Sequence, residues 1–452
     1  MNRLRVTTTI APWLAALACV VFIASAFYPG YMSPDSVVQL RQARTGQFDP
    51  WHPPFMAWTW RQIERVVPGP LGMLLFHCAL FFTGLTLLMT AFLRPGYATL
   101  AVLAVGLFPS IAGLLSTVWK DVGMAAALLL AFALLLRFSQ RPRWSTMALA
   151  FLALGYALAV RKNGVAAAVP LAAWAGFLVE RAYSSQETRA WRGMTAGAMA
   201  AFALFGLTSL VNRSLSKSES FESQALPLYD LAAISVARNE LMYPDWLKQR
   251  EPRLDVALLE SLYTPNSVSP LLWGEPPRVP MLTDAVENAN LTKYWITAVW
   301  RNPGPYLKHR LLVVASMLGL YGTVYILPSG IVSNPYGYKT AETMLNRATM
   351  LALQMSEKTP VFSGWAYVVS TLLFFGLSRR LPTRLRSAAA ALVASSACYL
   401  GPYLVISPSN DFRLIWWPVV VAVILPFVVF GSSVKTSPTN VSSLPQKPLT
   451  NP

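Results

Sequence analysis

The sequence predicts an all-α integral membrane protein, a polytopic helical bundle of about 10–11 spans. Of its 452 residues, 54% are hydrophobic and 13% are charged, and the mean hydropathy is +0.44. Apolar runs of roughly 17–25 residues, long enough to cross a hydrocarbon core of about 30 Å as helices, recur along the chain. No segment alternates like a membrane β-barrel strand. The bundle is expected to carry extracytoplasmic loop helices and a small extracytoplasmic domain.

Ten apolar stretches are predicted to cross the membrane: 10–28, 71–93, 97–116, 120–136, 146–160, 164–179, 194–211, 362–378, 387–406 and 414–430. The first lacks a convincing small-residue cleavage site, so we interpret it as a retained helix rather than a signal peptide. A further apolar stretch, 310–327, is predicted to be re-entrant or membrane-associated. Eleven crossings, with 310–327 as a full span, remain the alternative.

The positions of the arginines orient these spans. Short loops rich in Lys and Arg mark the cytoplasmic side, and such clusters occur at alternate connections: Arg3 with Arg5, Arg94, Arg137 with Arg141 and Arg143, Arg181 with Arg189 and Arg192, and Arg379 with Arg380, Arg384 and Arg386. The prediction is a multi-pass protein of the cell (inner or plasma) membrane. Its N-terminus is cytoplasmic, and its large loops and active site are extracytoplasmic.

Four regions follow from this topology. Residues 1–211 form an N-terminal transmembrane module with a first extracytoplasmic loop, 29–70. An extracytoplasmic loop domain occupies 212–361, C-terminal transmembrane helices occupy 362–431, and the Ser/Thr/Pro-rich tail 432–452 is predicted to be disordered. Within the loops, Asp49–Arg65 suits a helix lying in the membrane interface, and Leu228–Leu241 has a helical pattern.

Composition excludes several classes of function. The net charge of +17 arises from cytoplasmic loops, so nucleic-acid binding is not expected. The cysteines Cys19, Cys78 and Cys398 lie in apolar runs without a CxxC pair, which favours packing over a disulfide framework or thiolate metal site. The three histidines are too scattered for a zinc motif.

Asp35, in the sequence Ser33-Pro34-Asp35-Ser36, follows the first predicted span. Its position alone favours a helix cap for a short helix starting at Ser36. Lys120 and Asp121 begin a short predicted span, which draws both to the membrane boundary. Ionisable residues at that depth are functional candidates, and a snorkelling lysine with a local acidic partner is the alternative.

Arg161 and Lys162 depart from the charge rule because they lie in a short extracytoplasmic turn. Paired cations at this face suit a phosphate headgroup, since Arg offers bidentate hydrogen bonds and Lys a point charge. The alternative is that the spans on either side do not cross as assigned. Arg413, in Asp411-Phe412-Arg413, lies in the last extracytoplasmic turn and fits the same site. All these side chains could therefore enclose one cavity.

These residues resemble the GT-C superfamily of polytopic membrane glycosyltransferases, which use polyprenyl-phosphate or polyprenyl-diphosphate sugars. The similarity rests on short motifs spread over roughly residues 1–430: Asp35 in the first loop, His52-Pro53-Pro54, Trp119-Lys120-Asp121, Arg161-Lys162-Asn163, Asn302-Pro303-Gly304-Pro305-Tyr306-Leu307-Lys308-His309-Arg310 and Asp411-Phe412-Arg413. The chain has neither a paired Asp-Glu at Asp35 nor a WWD motif, which argues against an oligosaccharyltransferase.

The resemblance implies an enzyme that moves a hexose or pentose to an extracytoplasmic glycan, lipid or protein acceptor and inverts the anomeric configuration. It implies Asp35 as the general base, with Lys120, Arg161, Lys162 and Arg413 binding the lipid phosphate. Asp121 and His52 would support these groups or hold a divalent metal, Mg or Mn. The expected partners are membrane lipid, the lipid-linked donor and the acceptor.

Three other classes of function remain open on the sequence. A transporter or flippase for a lipid-linked or anionic substrate would use the same cations. Transporters, however, place such sites near the bilayer midplane, often between repeats, and no repeat is visible here. A polysaccharide polymerase or ligase would need essential Arg and His in a large loop, where His309 is the only histidine. A non-catalytic assembly protein would make each of these charges individually dispensable.

Overall fold

The computed structural model describes residues 2–183, 190–216, 221–276 and 278–435. Within these ranges the regular secondary structure is helical, as predicted, with isolated β-bridges. The first half contains α1 to α10 in chain order: Asn2–Ala26, Pro34–Thr45, Pro54–Ile63, Pro70–Phe92, Pro95–Gly106, Pro109–Leu115, Lys120–Gln140, Trp144–Val160, Gly164–Tyr183 and Ala190–Leu215. Helices α2 to α6 each begin with proline, whose fixed φ and missing N–H suit the first helical position.

A group of short helices then forms what we call the loop domain, residues 221–301. Its helices α11 to α15 are Ala225–Arg238, Asp245–Arg250, Val256–Leu262, Ser269–Trp273 and Ala285–Arg301. Asp255 and Asp284 cap α13 and α15 by accepting hydrogen bonds from backbone N–H groups. The loop domain has its own buried apolar core, which includes Leu228, Leu259 and Leu271.

The chain returns to the bundle through α16 to α21: Pro303–Met317, Met344–Glu357, Gly364–Ser378, Thr383–Leu400, Tyr403–Ile406 and Trp416–Lys435. Helix α16 ends at Met317 and residues 318–343 are not helical, so the apolar stretch 310–327 is not one continuous helix. Helix α21 continues to Lys435, four residues into the predicted tail, and residues 436–452 lie outside the described ranges.

The described helices support a multi-pass membrane protein. Six are long and apolar enough to cross a bilayer, one bent pair passes the same test together, and three shorter apolar helices accompany them. Large apolar side chains such as Met199, Phe202 and Leu210 are more than half exposed on α10, as expected for a lipid-facing surface. The count of ten crossings and their orientation stay predictions.

One predicted span is not a straight helix. The stretch 97–116 is divided into α5 and α6, which are bent by 65° at Leu107 and Phe108. Pro109 cannot donate a backbone hydrogen bond and disfavours helical geometry at the residue before it. Phe108 is accordingly extended, so the predicted span 97–116 is a bent pair of helices, and its crossing of the membrane stays a prediction.

Helices α9 and α10 pack closely through small residues. Gly193 and Gly197, four residues apart on α10, lie directly against backbone carbonyls of Gly176 and Ala172 on α9, where a Cβ atom would collide. Such spacing allows the close approach of membrane helices. This contact fixes α9, whose N-terminus follows Arg161-Lys162-Asn163.

The burial of the cysteines and the bounds of two loop helices agree only partly with the sequence predictions. Cys19 and Cys78 are buried, as expected for packing residues, whereas Cys398 is exposed on α19. The predicted interfacial helix at 49–65 corresponds to the shorter α3, and the predicted pattern at 228–241 corresponds to α11.

Candidate functional site

Asp35 lies in the first turn of α2, and Ser33 rather than Asp35 caps this helix. The backbone N–H of Ser33 donates to Ser36 Oγ at 3.2 Å, and the Ser33 and Ser36 hydroxyls lie 3.3 Å apart. The expectation that Asp35 caps a helix beginning at Ser36 was therefore wrong. With both serines occupied at the helix start, the Asp35 carboxylate is free to contact other segments.

Hydrogen bonds join the turn before α7 to the start of α2. Ser36 Oγ donates to the Val118 carbonyl at 2.8 Å, and Trp119 Nε1 donates to Ser33 Oγ at 2.8 Å. Backbone bonds from Val118 N to Tyr31 O at 3.0 Å and from Tyr31 N to Ser116 O at 2.9 Å extend the contact. Asp35 and Lys120 are thereby held at the same end of the bundle.

Asp35 contacts a cation and an imidazole. Arg413 Nη1 lies 2.8 Å from Asp35 Oδ2, and His52 Nε2 lies 3.6 Å from Asp35 Oδ1. Burial acts to raise the pKa of Asp35, but Arg413, His52 and Lys120 outweigh it and hold the pKa well below its ordinary value. The side chain is 32% exposed, so a partly accessible carboxylate lies among positive groups.

Lys120 is bound to His52. Its Nζ donates to His52 Nδ1 at 2.5 Å, and because an ammonium cannot accept, Nδ1 must be the unprotonated nitrogen. Burial and the neighbouring Lys120 lower the pKa of His52, which favours the neutral ring with its proton on Nε2, facing Asp35. Across the described ranges, Lys120 is the only one of the four predicted phosphate-binding cations with no carboxylate within 4 Å.

Arg413 is held from two further sides. Its Nη2 lies 3.0 Å from Asp411 Oδ2, and its guanidinium lies over the Trp119 ring, 4.8 Å from the centroid. A guanidinium over an indole face gains a cation–π contribution. Its side chain is 18% exposed, and its guanidinium lies beside the partly exposed Asp35 carboxylate.

Arg161 is committed to a buried ion pair. Its guanidinium pairs with Asp121, which is 1% exposed, and it donates to Tyr403 Oη at 2.9 Å and to Asn163 Oδ1 at 2.8 Å. Burial lowers the pKa of Arg161, but Asp121 and the tyrosines outweigh burial and raise it. Breaking such a pair leaves a buried charge uncompensated, so in this state Arg161 is a structural partner of Asp121.

Lys162 is not brought to the group around Asp35. Its ammonium, 57% exposed, pairs with Glu222 of the loop domain. An exposed pair of this kind contributes little free energy. The structure therefore gathers Asp35, His52, Lys120 and Arg413, places Arg161 with Asp121 beside them, and leaves Lys162 at the surface.

The predicted metal ligands do not fit a divalent cation. Asp121 is occupied by Arg161, and the two ring nitrogens of His52 face Lys120 and Asp35. In the part of the chain that the structure describes, no group of three or more His, Cys, Asp or Glu side chains could hold a metal ion. Magnesium and manganese prefer several oxygen ligands, and these side chains do not offer them.

The structure contains a second buried cluster of charged residues, which the sequence did not predict as a cluster. Asp230 on α11 pairs with Arg310 on α16, and His309 Nε2 lies 3.2 Å from Asp230 Oδ1. Counted as whole residues, Asp230, His309 and Arg310 are each at most 3% exposed. Tyr263 Oη completes the cluster at 2.8 Å from His309 Nδ1. The sequence singled out His309 and Arg310, but nothing marked Asp230 within the helical pattern of α11.

Comparison with known proteins is sparse. No protein-family model matches the chain, and no curated protein matches it. Among solved structures it is similar to the crystal structure of ArnT from Cupriavidus metallidurans bound to undecaprenyl phosphate, with 15% identity, 93% of this chain and 77% of that chain covered, and a TM-score of 0.33. A similarity this weak does not indicate a function for this chain.

Proposed function

We propose that this protein is a membrane glycosyltransferase that moves a sugar from a polyprenyl-phosphate donor to an extracytoplasmic glycan, lipid or protein acceptor. The observation that carries the proposal is the partly exposed Asp35 carboxylate beside Lys120 and Arg413 at one end of a helical membrane bundle. A base and phosphate-binding cations at a membrane boundary are the groups that such a transfer requires.

Asp35 would act as the general base. The acceptor hydroxyl loses its proton to the carboxylate as its oxygen bonds to the anomeric carbon, and the bond from that carbon to the phosphate oxygen breaks. The bonding electrons leave with the lipid phosphate. This single displacement inverts the anomeric configuration and needs no covalent sugar–enzyme intermediate.

Lys120 and Arg413 would bind the phosphate. Lys120 needs to break no ion pair within 4 Å among the described residues, and Arg413 can turn from Asp35 towards an anion while keeping Asp411. Moving Arg413 off Asp35 raises the pKa of that carboxylate and makes it a stronger base. Donor binding would thus activate the base that uses it.

The rival functions find less support in the geometry. The charges lie where helices begin, at α2 and α7, rather than at broken helices near the midplane as in many transporters. His309, the loop histidine that a polymerase or ligase would need, is 2% exposed and faces Asp230 and Tyr263. It is therefore not accessible to a substrate.

The test is transfer in proteoliposomes containing the purified protein, a panel of radiolabelled polyprenyl-phosphate sugars and membrane-derived acceptors. We expect label to leave the lipid donor and appear in a glycan, lipid or protein product, which empty liposomes do not support. Label that changes leaflet but stays on the donor would show a flippase instead. Donor that stays intact and in its original leaflet across the whole panel would contradict both.

A further inference from the structure

The segment before Arg413, residues 407–412, is here called the strap. It runs from the end of α20 to the turn that precedes α21, and the loop domain holds it by backbone pairing. Val268 N donates to Pro408 O at 2.9 Å, and Asn410 N donates to Asn266 O at 2.8 Å. An antiparallel bridge between Ser267 and Ser409 lies between these bonds. Arg413 therefore follows a segment whose geometry another part of the chain sets.

The side chain of Asn410 joins the strap to neighbouring segments by hydrogen bonds. Its Nδ2 donates to Ser316 Oγ at 2.9 Å and to the Thr323 carbonyl at 2.6 Å, and the residue is 3% exposed. Ser316 in turn donates to Asn266 Oδ1 at 2.7 Å. One amide thus joins the strap to α16, to the 318–343 segment and, through Ser316, to the loop domain.

The buried charge cluster is hydrogen-bonded to the other end of the strap. Arg310 Nη1 donates to the Ser407 carbonyl at 2.8 Å while the same guanidinium pairs with Asp230 on α11. The Arg310 and Asp230 side chains are 4% and 0% exposed. Because both charges are buried, this attachment is costly to break. The cluster of Asp230, His309 and Arg310 therefore connects Ser407 to the loop domain.

We propose that the loop domain and α16 hold Arg413 in place against Asp35 through the strap, with Asn410 as the positioning residue. The attachment itself follows from the contacts above, whereas its effect on catalysis rests on the proposed function. Three basic groups face Asp35 from different segments: Arg413 before α21, His52 before α3 and Lys120 at the start of α7. Tyr325 of the 318–343 segment also interacts electrostatically with Asp35. Among the described residues, His52 and Lys120 make no hydrogen bond or ion pair with the strap, so a loosened strap weakens mainly the Arg413 contact.

Hydrogen exchange tests the attachment without any substrate. In the full-length protein in lipid nanodiscs, Asn410→Ala is expected to accelerate amide exchange in peptides covering 408–415 about tenfold, since buried hydrogen-bond partners lose their donor. Ser316→Ala, which removes one of the two Asn410 contacts, should give a smaller change in the same peptides. Asn334→Ala is the matched control because, among the described residues, the side-chain hydrogen bonds of Asn334 stay within 332–338.

Transfer from a radiolabelled polyprenyl-phosphate sugar tests the catalytic consequence. Asn410→Ala is expected to lower turnover about 10²-fold, as a displaced catalytic group does. Loss of kcat/KM on acidification should begin about one pH unit higher, because weakening the Arg413 contact raises the pKa of Asp35 in the free enzyme. In an Arg413→Ala background, Asn410→Ala should add no further loss, since the two residues act through one contact.

Each outcome decides a separate claim. Unchanged exchange at 408–415 in Asn410→Ala overturns the attachment, and faster exchange with an unmoved acid limb overturns the positioning of Arg413. Equal effects of Asn334→Ala and Asn410→Ala also overturn it. If the wild-type protein transfers no sugar, the proposed function fails, and the exchange experiment still upholds or overturns the attachment.

Discussion

Replacing Asp35 by Asn is expected to lower sugar transfer by about 10²–10⁴-fold, the range that a general base contributes. The amide keeps the size of the side chain but cannot take the acceptor proton. It also frees Arg413 from its partner across the site, while Asp411 still holds that guanidinium at 3.0 Å. Donor binding should therefore persist, and the loss should fall on kcat rather than on KM.

The measurement is the initial rate of transfer from a radiolabelled polyprenyl-phosphate sugar, with donor binding followed in parallel. Asp245→Asn is the control, because this carboxylate is 89% exposed in the loop domain and its ion pair within the described ranges is with Lys248, three residues away. Asp245→Asn should retain wild-type turnover. Near wild-type turnover in Asp35→Asn would remove Asp35 as the base.

Replacing Lys120 by Gln is expected to lower kcat/KM for the lipid donor by about 10²–10³-fold, as loss of one group that stabilises developing charge does. Lys120 bonds to His52 and has no carboxylate partner within 4 Å among the described residues, so no ion pair has to break before its charge can meet a bound anion. Binding of the donor phosphate and departure of the product phosphate both depend on it. The loss should therefore appear in both KM and kcat.

Lys162→Gln is the matched control for this lysine. Lys162 is 57% exposed and paired with Glu222, so its removal should change transfer less than about threefold. Both variants are measured with the same donor over a range of concentrations. Equal losses in the two variants, or an unaltered kcat/KM in Lys120→Gln, would contradict the assignment of the phosphate to Lys120.

Much of the helical fold was predictable because apolar length acts over whole helices. Each of the ten predicted apolar stretches contains a helix, and the loop domain is helical as expected. The break between α5 and α6 was missed although Pro109 marks it, since hydropathy alone does not register a proline within an apolar run. The exposure of Cys398 was missed for a similar reason, because a helix facing lipid exposes apolar residues.

The gathering of most of the predicted residues was foreseeable, but Lys162 was placed with them wrongly and the pairs were not foreseeable. The order of the spans brings Asp35, Lys120, Arg161 and Arg413 to one end of the bundle. Which cation meets which carboxylate depends on how each helix is rotated about its axis, and the sequence pattern does not specify that rotation. Hence the structure alone pairs Arg161 with Asp121 and Arg413 with Asp35.

The most direct test of the central claim is the position of a bound lipid phosphate. An experimental structure in nanodiscs with a polyprenyl monophosphate should show the phosphate within about 4 Å of Lys120 Nζ and of the Arg413 guanidinium, next to Asp35. Phosphate density against Lys339 and Arg347, in the cleft between the 328–342 segment and α17, with Arg413 still on Asp35, would contradict the account.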